Sequence, residues 1–509
     1  MIMSTSLKRK TLRLQKIFSK IPSVKIEEKF KDLEITGIAI DSRKVGEDFL
    51  FGAMKGANAD GGQFIGSAIK SGARVILCDI DSDIAVPDSV CLIKHENPRR
   101  VFSLIAAEFY DKQPEVIAAV TGTNGKTSTV HFCREIWKNL GKESASIGTV
   151  GIYNDKVKFD NSGASLTTPD PVKLHESLAK LADSGITHLA MEASSHGLSQ
   201  YRLDGVKVKV AAFSNLTRDH LDYHGTFENY LQAKLRLFDE VMEDGGVAVL
   251  NADVPEYSKI AEICKKRHHK IISYGLYGKD KQRNYIDIFK IVPTSDGQQI
   301  SFEILGKVYN INTHLIGEFQ AYNILCALAM VLASGCNVDE AVAAIPHITC
   351  VPGRMEKVMV PSFPSSVFVD YAHTPDALEK AIKVLRPHTK GKLWVVFGCG
   401  GDRDKGKRPL MGEVAFKFAD NVIVTDDNPR SEKPETIRKE ILAACKNAEE
   451  IGDRHKAIEK AISLLQKGDS LLIAGKGHEK TQTVGNDTFP FDDVVVSKEV
   501  MEKIRGKNA

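Results

Sequence analysis

No cysteine of this sequence stands in a C-x-x-C pair, and no apolar run approaches the roughly 20 residues that a membrane-spanning helix needs. The nine cysteines, at positions 78, 91, 133, 264, 326, 336, 350, 399 and 445, are odd in number and scattered. Such a set excludes a disulfide framework and a structural zinc site, and it suits a reducing cytosol. One-sided charge is missing too: 69 Lys and Arg against 66 Asp and Glu leave a net +3, with only 7% aromatics and no basic stripe, which argues against a nucleic-acid partner. Near the N-terminus, Lys8, Arg9, Lys10, Arg13 and Lys16 precede apolar residues interrupted by Gln15, Lys16, Ser19 and Lys20, so the apolar core of a signal peptide does not form. Internal repeats and low-complexity tracts are absent. The composition predicts a soluble, cytoplasmic protein with small-molecule partners.

What is present is enough apolar material, 42% of 509 residues, for about three domains at roughly 150 residues each. The fold class read from the pattern is α/β, with three domains that each carry a mainly parallel or mixed sheet flanked by helices. Residues 1–112 read as a small α/β unit, with strands near 35–40, 74–78 and 90–93. The polar segment Asp111-Lys112-Gln113-Pro114 marks its end. Over 113–349, strands at 116–120, 187–193, 210–214 and 247–251 alternate with helical patterns near 127–140, 171–184, 226–242 and 317–334, which predicts a parallel sheet; 286–313 reads as hairpins. Residues 350–509 read as a Rossmann-like unit with strands at 367–370, 393–397, 421–425 and 471–474.

The most informative segment runs V-I-A-A-V-T-G-T-N-G-K-T-S-T-V from Val116 to Val130. A β-branched strand meets Gly122, Thr123, Asn124, Gly125, Lys126, Thr127 and Ser128 and then turns helical. Small residues there let backbone N–H groups cradle phosphate oxygens, Lys126 reaches the terminal phosphates, and the Thr127 hydroxyl suits a magnesium ion. Val120 stands where the usual loop has its first glycine, so the loop is a shortened P-loop and the central domain reads as P-loop ATPase-like.

Polar clusters follow the other strands. Glu192 ends an apolar strand beside this loop, where a carboxylate can hold a metal. The run from Asn215 to His224 brings Asp219, His220, Asp222 and His224, which suit metal or phosphate contacts. In the last domain, Gly398 to Arg408 is a glycine-rich loop with flanking Arg and Lys, suited to anions. Asp427-Asn428-Pro429-Arg430 and Gly475-Lys476-Gly477-His478-Glu479 supply a guanidinium and a carboxylate that suit a zwitterionic amino acid. Lys234, within a helical pattern, carries no role on these grounds alone.

In this order, T-G-T-N-G-K-T, M-E-A-S-S-H-G-L, N-L-T-R-D-H-L-D-Y-H, Y-x-x-A-K-x-x-L-F, G-G-D-R-D-x-G-K-R-P, D-N-P-R and G-K-G-H-E, with Asp41-Ser42-Arg43 near the start, resemble the Mur ligase family over nearly the whole chain. The resemblance implies an ATP-dependent amide ligase of peptidoglycan precursor synthesis that adds meso-2,6-diaminopimelate to a UDP-N-acetylmuramoyl dipeptide through an acyl phosphate, acting as a monomer. It implies UDP-substrate contacts at Ile40, Ser42, Ala57, Asn58, Ala59, Thr167, Thr168, Ser194, Gln200 and Arg202, with Leu166 where relatives commonly have asparagine. ATP contacts extend to Asn323, Arg354, Asp370 and His373. Magnesium falls to Thr127, Glu192, His220 and a CO2-derived carbamate on Lys234, with Lys126, Lys234 and His220 as catalytic residues. Diaminopimelate falls to Arg403, Asp427, Asn428, Pro429, Arg430, Gly475 and Glu479. Alternatives are a lysine-adding member, a folate-extending glutamate ligase of the same superfamily, and a nucleotide-binding scaffold without turnover.

Overall fold

The computed structural model describes residues 11–56, 60–159, 166–217, 219–278, 284–294 and 297–508. The chain divides into two compact units, Met1–Gly275 with Cys326–Val342, and Leu276–Leu325 with Ala343–Ala509.

The first unit contains two sheets. The smaller is wholly parallel, with strands in the order Gly37–Ala39, Phe49–Ala53, Ala73–Asp79, Cys91–His95. In the larger sheet, this unit contributes the strand order Lys270–Leu276, Met242–Asn251, Val208–Phe213, Val116–Thr121, His188–Glu192, Ser144–Gly148, Gly151–Asn154. All neighbours here are parallel except the last pair. The phosphate-loop strand lies centrally with both faces covered, which is why it reads as an unbroken apolar run: Ile117, Ala118, Ala119 and Val120 are all fully buried.

Register decides what meets what at the carboxyl ends. Glu192 lies opposite Val120, and Phe213 opposite Thr121, so Ser214 follows level with Gly122 while Glu192 ends its strand two residues before them. Gly125, at φ +87°, begins the helix Lys126–Asn139. Helix Phe227–Arg236, capped by the Thr226 side chain accepting from the Asn229 N–H, carries Lys234 on its buried face. The sequence periodicity extends this helix to 242, but a π-helical turn over Leu237–Val241 ends it and Met242 already belongs to a strand. The wider turn sends Leu237, Phe238 and Val241 together into the core. The strands at Phe49–Ala53, Ser144–Gly148, Gly151–Asn154 and Lys270–Leu276 are not among those read from the sequence.

The second unit holds an antiparallel meander, Ile286–Thr294, Gly297–Ile304, Lys307–Thr313. Its main sheet runs in the order Glu356–Lys357, Ser366–Asp370, Ser470–Ala474, Leu393–Phe397, Asn421–Val424, Glu449–Glu450 and is parallel apart from the first strand. Helix Pro375–Leu385 starts with proline at its first position and the Thr374 hydroxyl as cap. A hairpin, Thr481–Val484 with Asp487–Pro490, follows the last parallel strand. Both units are thus α/β, with sheets flanked by helices.

Candidate active site

In the first unit the phosphate loop is held by its neighbour strand. The Thr123 N–H donates to the Asn215 carbonyl (2.8 Å), the Asn124 N–H to Asn215 Oδ1 (2.9 Å), and Ser214 Oγ to the Asn124 carbonyl (2.8 Å). Gly122 sits at φ +145°, and a Cβ there would lie 2.0 Å from Ser214 Oγ, so the close strand contact requires glycine. Lys126 Nζ donates to the Gly122 and Thr123 carbonyls, both at 2.9 Å. Lys234 Nζ also donates to the Gly122 carbonyl (2.8 Å) and lies 4.4 Å from the centre of the Tyr230 ring. The Tyr230 hydroxyl is 3.2 Å from Thr123 Oγ1.

Lys234 is 1% exposed, and burial, with the nearby Lys126 charge adding to it, holds its amine well below the ordinary lysine range. Burial also lowers Lys126 and raises Glu192. The Glu192 carboxylate accepts from the Thr149 N–H (2.8 Å) and hydroxyl (3.2 Å), and the Thr127 hydroxyl also bonds to it. Thr149 was not singled out from the sequence. Its signal is Gly148, where a Cβ would lie 2.1 Å from Glu192 Oε1.

The residues expected at the peptide end of the UDP substrate form one network continuous with Glu192. Thr168 Oγ1 donates to the Glu192 carbonyl (2.9 Å) and accepts from the Ser194 N–H (3.0 Å). Arg202 donates to the Thr168 carbonyl (2.7 Å) and to Gln200 Oε1 (2.7 Å), while Gln200 Nε2 donates to the Tyr223 hydroxyl (3.0 Å). Thr167 Oγ1 is 3.1 Å from Thr149 Oγ1. Tyr223, another residue without an assigned role in the sequence, packs its ring 4.1 Å from His196. His220 has a left-handed backbone (φ 51°), is exposed, and meets His196 edge-on at 4.8 Å. Among the described residues no three or more His, Cys, Asp or Glu side chains group as a metal site.

In the smaller sheet's domain, Ile40 is exposed and Ser42 begins a short 3-10 turn. Asp41 caps that turn and grips Arg43 (2.9 and 2.7 Å), whose hydrogen bonds hold the Asp41 carboxyl down at about 2. Ala57, Asn58 and Ala59 lie outside the described residues.

In the second unit the predicted residues other than Asn323 gather at the carboxyl ends of the parallel strands. Asp370 accepts from the Met355 and Ala372 N–H groups (2.7 and 2.9 Å), and burial raises its carboxyl. The Arg354 guanidinium lies over the Tyr371 ring (5.2 Å), which also meets His373 (4.6 Å) and His478 (5.2 Å). Asn323 is buried within helix Glu318–Ala333 and donates to Gln320 Oε1 (2.9 Å).

Around the neighbouring strand ends, Asn428 Nδ2 donates to Glu479 Oε2 (2.8 Å) and Arg430 to the Gly401 carbonyl (2.8 Å). Arg430 has a left-handed backbone (φ 51°), fixed by its N–H on the Thr483 carbonyl (3.1 Å) and its carbonyl on the Gly485 N–H (2.7 Å). Burial raises the Asp427 carboxyl, offset by the charges of Arg454 and Lys476. Pro429 is buried, and its carbonyl lies against Gly401, where a Cβ would come within 1.9 Å. Gly475, at φ +116°, leaves room for Asp427. Arg403 donates to the Asp402 carbonyl (3.2 Å) and stays at the surface.

Three family models match the chain: "Mur ligase family, catalytic domain" over residues 34–121, "Mur ligase middle domain" over 120–331, and "Mur ligase, glutamate ligase domain" over 353–477. A UDP-N-acetylmuramoyl-L-alanyl-D-glutamate–2,6-diaminopimelate ligase of Bradyrhizobium diazoefficiens is 48% identical over 92% of this chain and 95% of its own length. A ligase of the same name from Zymomonas mobilis is 47% identical over 94% of this chain and 96% of its own. The solved structure of a ligase of that name superposes with a TM-score of 0.76 at 32% identity, covering 97% of this chain and 99% of that one. With the loop, strand-end clusters and domain matches in sequence order, this chain belongs to the Mur ligase family.

Proposed function

We propose that the protein is an ATP-dependent ligase that joins meso-2,6-diaminopimelate to the glutamyl carboxyl group of UDP-N-acetylmuramoyl-L-alanyl-D-glutamate, in peptidoglycan precursor synthesis. The observation that carries this reading is that one phosphate loop holds Lys234 on its Gly122 carbonyl and Thr127 on the Glu192 carboxylate, while the Glu192 backbone carbonyl takes Thr168, which is bonded in turn to Ser194 and Arg202. This arrangement joins a triphosphate cradle to donors that suit a peptide carboxylate. Residues 1–112 take the UDP sugar, 113–349 the ATP and 350–509 the amino acid.

The loop N–H groups and Lys126 grip the γ-phosphate while Arg202 and Ser194 orient the peptide end, so the carboxylate oxygen reaches phosphorus. Phosphoryl transfer forms an acyl phosphate and ADP. The amino group of the acceptor then displaces phosphate to form the amide. Magnesium fits beside the loop, where a buried carboxyl disfavoured as an anion stands next to the Thr127 hydroxyl. Thr127, Glu192, His220 and a carbamate on Lys234 would hold it, and it supplies neutralisation of the two anions that must meet. Lys234 fits carbamylation because burial shifts its amine toward the uncharged form that reacts: the nitrogen lone pair adds to CO2, one proton leaves, and one N–H remains to donate.

Arg430 supports diaminopimelate over lysine, because lysine has no distal carboxylate to satisfy its guanidinium. Among the described residues no helix is long and apolar enough to cross a membrane, which agrees with a cytoplasmic enzyme; we place it there as a monomer. The test is phosphate release from ATP with the UDP dipeptide and, side by side, diaminopimelate, lysine or glutamate. Release that requires both the UDP dipeptide and diaminopimelate is expected; equal use of lysine overturns the acceptor assignment, and use of glutamate on a folate substrate overturns the function.

A further inference from the structure

The side chain of Lys476 is fully buried in the strand-end cluster of the second unit, and each of its three N–H donors has an acceptor. Nζ lies 3.1 Å from Asn428 Oδ1, 3.0 Å from Glu479 Oε2 and 2.6 Å from the Thr481 carbonyl. The Asn428 amide is thereby oriented without ambiguity. Its Oδ1 also receives the Thr483 N–H (3.0 Å), and an ammonium and a backbone amide, both pure donors, tolerate only oxygen between them. Nδ2 must therefore turn to Glu479, where it donates to the same Oε2 that Lys476 holds. Two donors occupy Oε2, and among the described residues no hydrogen bond to Oε1 is formed. Glu479 keeps partial exposure, so that oxygen remains reachable.

We propose that Lys476 is a positioning residue for the acceptor amino acid: it sets the Asn428 amide and ties down one oxygen of Glu479, leaving the other as the acceptor for a single substrate ammonium group. This rests on the ligase reading above. The geometry also explains why the hairpin strand Thr481–Val484 follows directly after the glycine-rich turn. It returns the Thr481 carbonyl to Lys476, the Thr483 N–H to Asn428, the Gln482 amide to the Asp427 carbonyl (2.7 Å) and the Thr483 carbonyl to the Arg430 N–H. One buried ammonium thus links the glutamate that takes an amino group to the loop that carries the guanidinium. Selectivity for an acceptor with both an amino group and a distal carboxylate then depends on a residue that touches neither.

The test is steady-state kinetics of the full chain carrying Lys476→Met, with diaminopimelate and with 2-aminopimelate, which keeps the distal carboxylate but lacks the distal amino group. The KM for diaminopimelate is expected to rise by about tenfold or more, the scale of lost charge-assisted hydrogen bonds. The saturated kcat and the KM values for ATP and the UDP dipeptide stay within about threefold, and preference for diaminopimelate over 2-aminopimelate shrinks, on that same scale. Lys476→Gln, which keeps two N–H donors, restores part of the loss and serves as the test variant if Lys476→Met does not fold. An unchanged KM for diaminopimelate, or a parallel change in all constants, overturns the role of Lys476 alone. Absence of product from the unaltered protein overturns the ligase reading and this proposal with it.

Discussion

Lys126 and Lys234 donate to the same oxygen, the Gly122 carbonyl, at 2.9 and 2.8 Å. Two amines meeting on one acceptor cannot both carry full charge comfortably, and the more enclosed of the two, Lys234, is the one driven furthest toward the neutral form. The carbonyl that orders the phosphate loop therefore also holds the Lys234 amine in place.

Lys234→Ala is expected to abolish turnover while leaving most ATP affinity, because the loop N–H groups and Lys126 remain. A short carboxylate supplied in solution is expected to restore part of the activity. ADP release together with calorimetric ATP titration checks this, and full activity in the variant would remove Lys234 from the chemistry.

Gly122→Ala is expected to weaken nucleotide binding at least tenfold and to destabilise the protein by about 1–3 kcal/mol, the scale of overpacking together with backbone strain. The added methyl meets Ser214 Oγ at 2.0 Å and the Asn215 carbonyl at 3.0 Å. Gly141→Ala is the control, since Gly141 also has positive φ (+70°) but open space around it. Urea unfolding and nucleotide titration of both variants separate the contact from the strain.

Arg430→Ala is expected to lower kcat/KM for diaminopimelate by the equivalent of about 1–3 kcal/mol, with little change for lysine. Competition between the two acceptors reads this directly. An equal loss for both would mean that Arg430 supports its loop, through the Gly401 carbonyl, without contacting substrate.

His175 is 1% exposed, and burial pushes its imidazole down to about 4 from an ordinary 6.5. Protons then bind the unfolded chain more readily than the folded one between these values, so stability is full above pH 6.5 and falls as the pH drops toward 4. Between pH 7.5 and 5 the wild type is expected to lose about 2 kcal/mol more than His175→Leu, by linkage. Denaturant titrations at the two pH values measure the difference; equal losses would exclude His175 as the source.

The phosphate loop was legible because its determinants are local: a buried parallel strand, two glycines and a lysine within one turn. Glu192, Asp427, Arg430 and Glu479 were legible for a related reason, since polar residues directly after apolar strands mark sheet ends. The strand at Gly151–Asn154 was not, because Gly-Ile-Tyr-Asn carries no clear alternation. Thr149, Tyr223 and Lys476 were missed as partners because each acquires its role only by touching residues more than two positions away in the chain or on another strand. Lys234 shows the limit most plainly. In its helix it resembles a solvated lysine, and only the resemblance to a family suggested otherwise.

By itself the sequence determined the α/β class, the phosphate turn and the set of strand-end side chains, because periodicity, glycine placement and strand termination act over a few residues. Tertiary structure alone decided that Lys234 is buried against Gly122, that Thr168, Ser194 and Arg202 join Glu192 in one network, and that Lys476 orients Asn428. Those outcomes depend on strand order and register, which bring together residues up to 112 positions apart. Burial and charge pairing then alter the chemistry of a side chain in ways its own sequence neighbours do not specify.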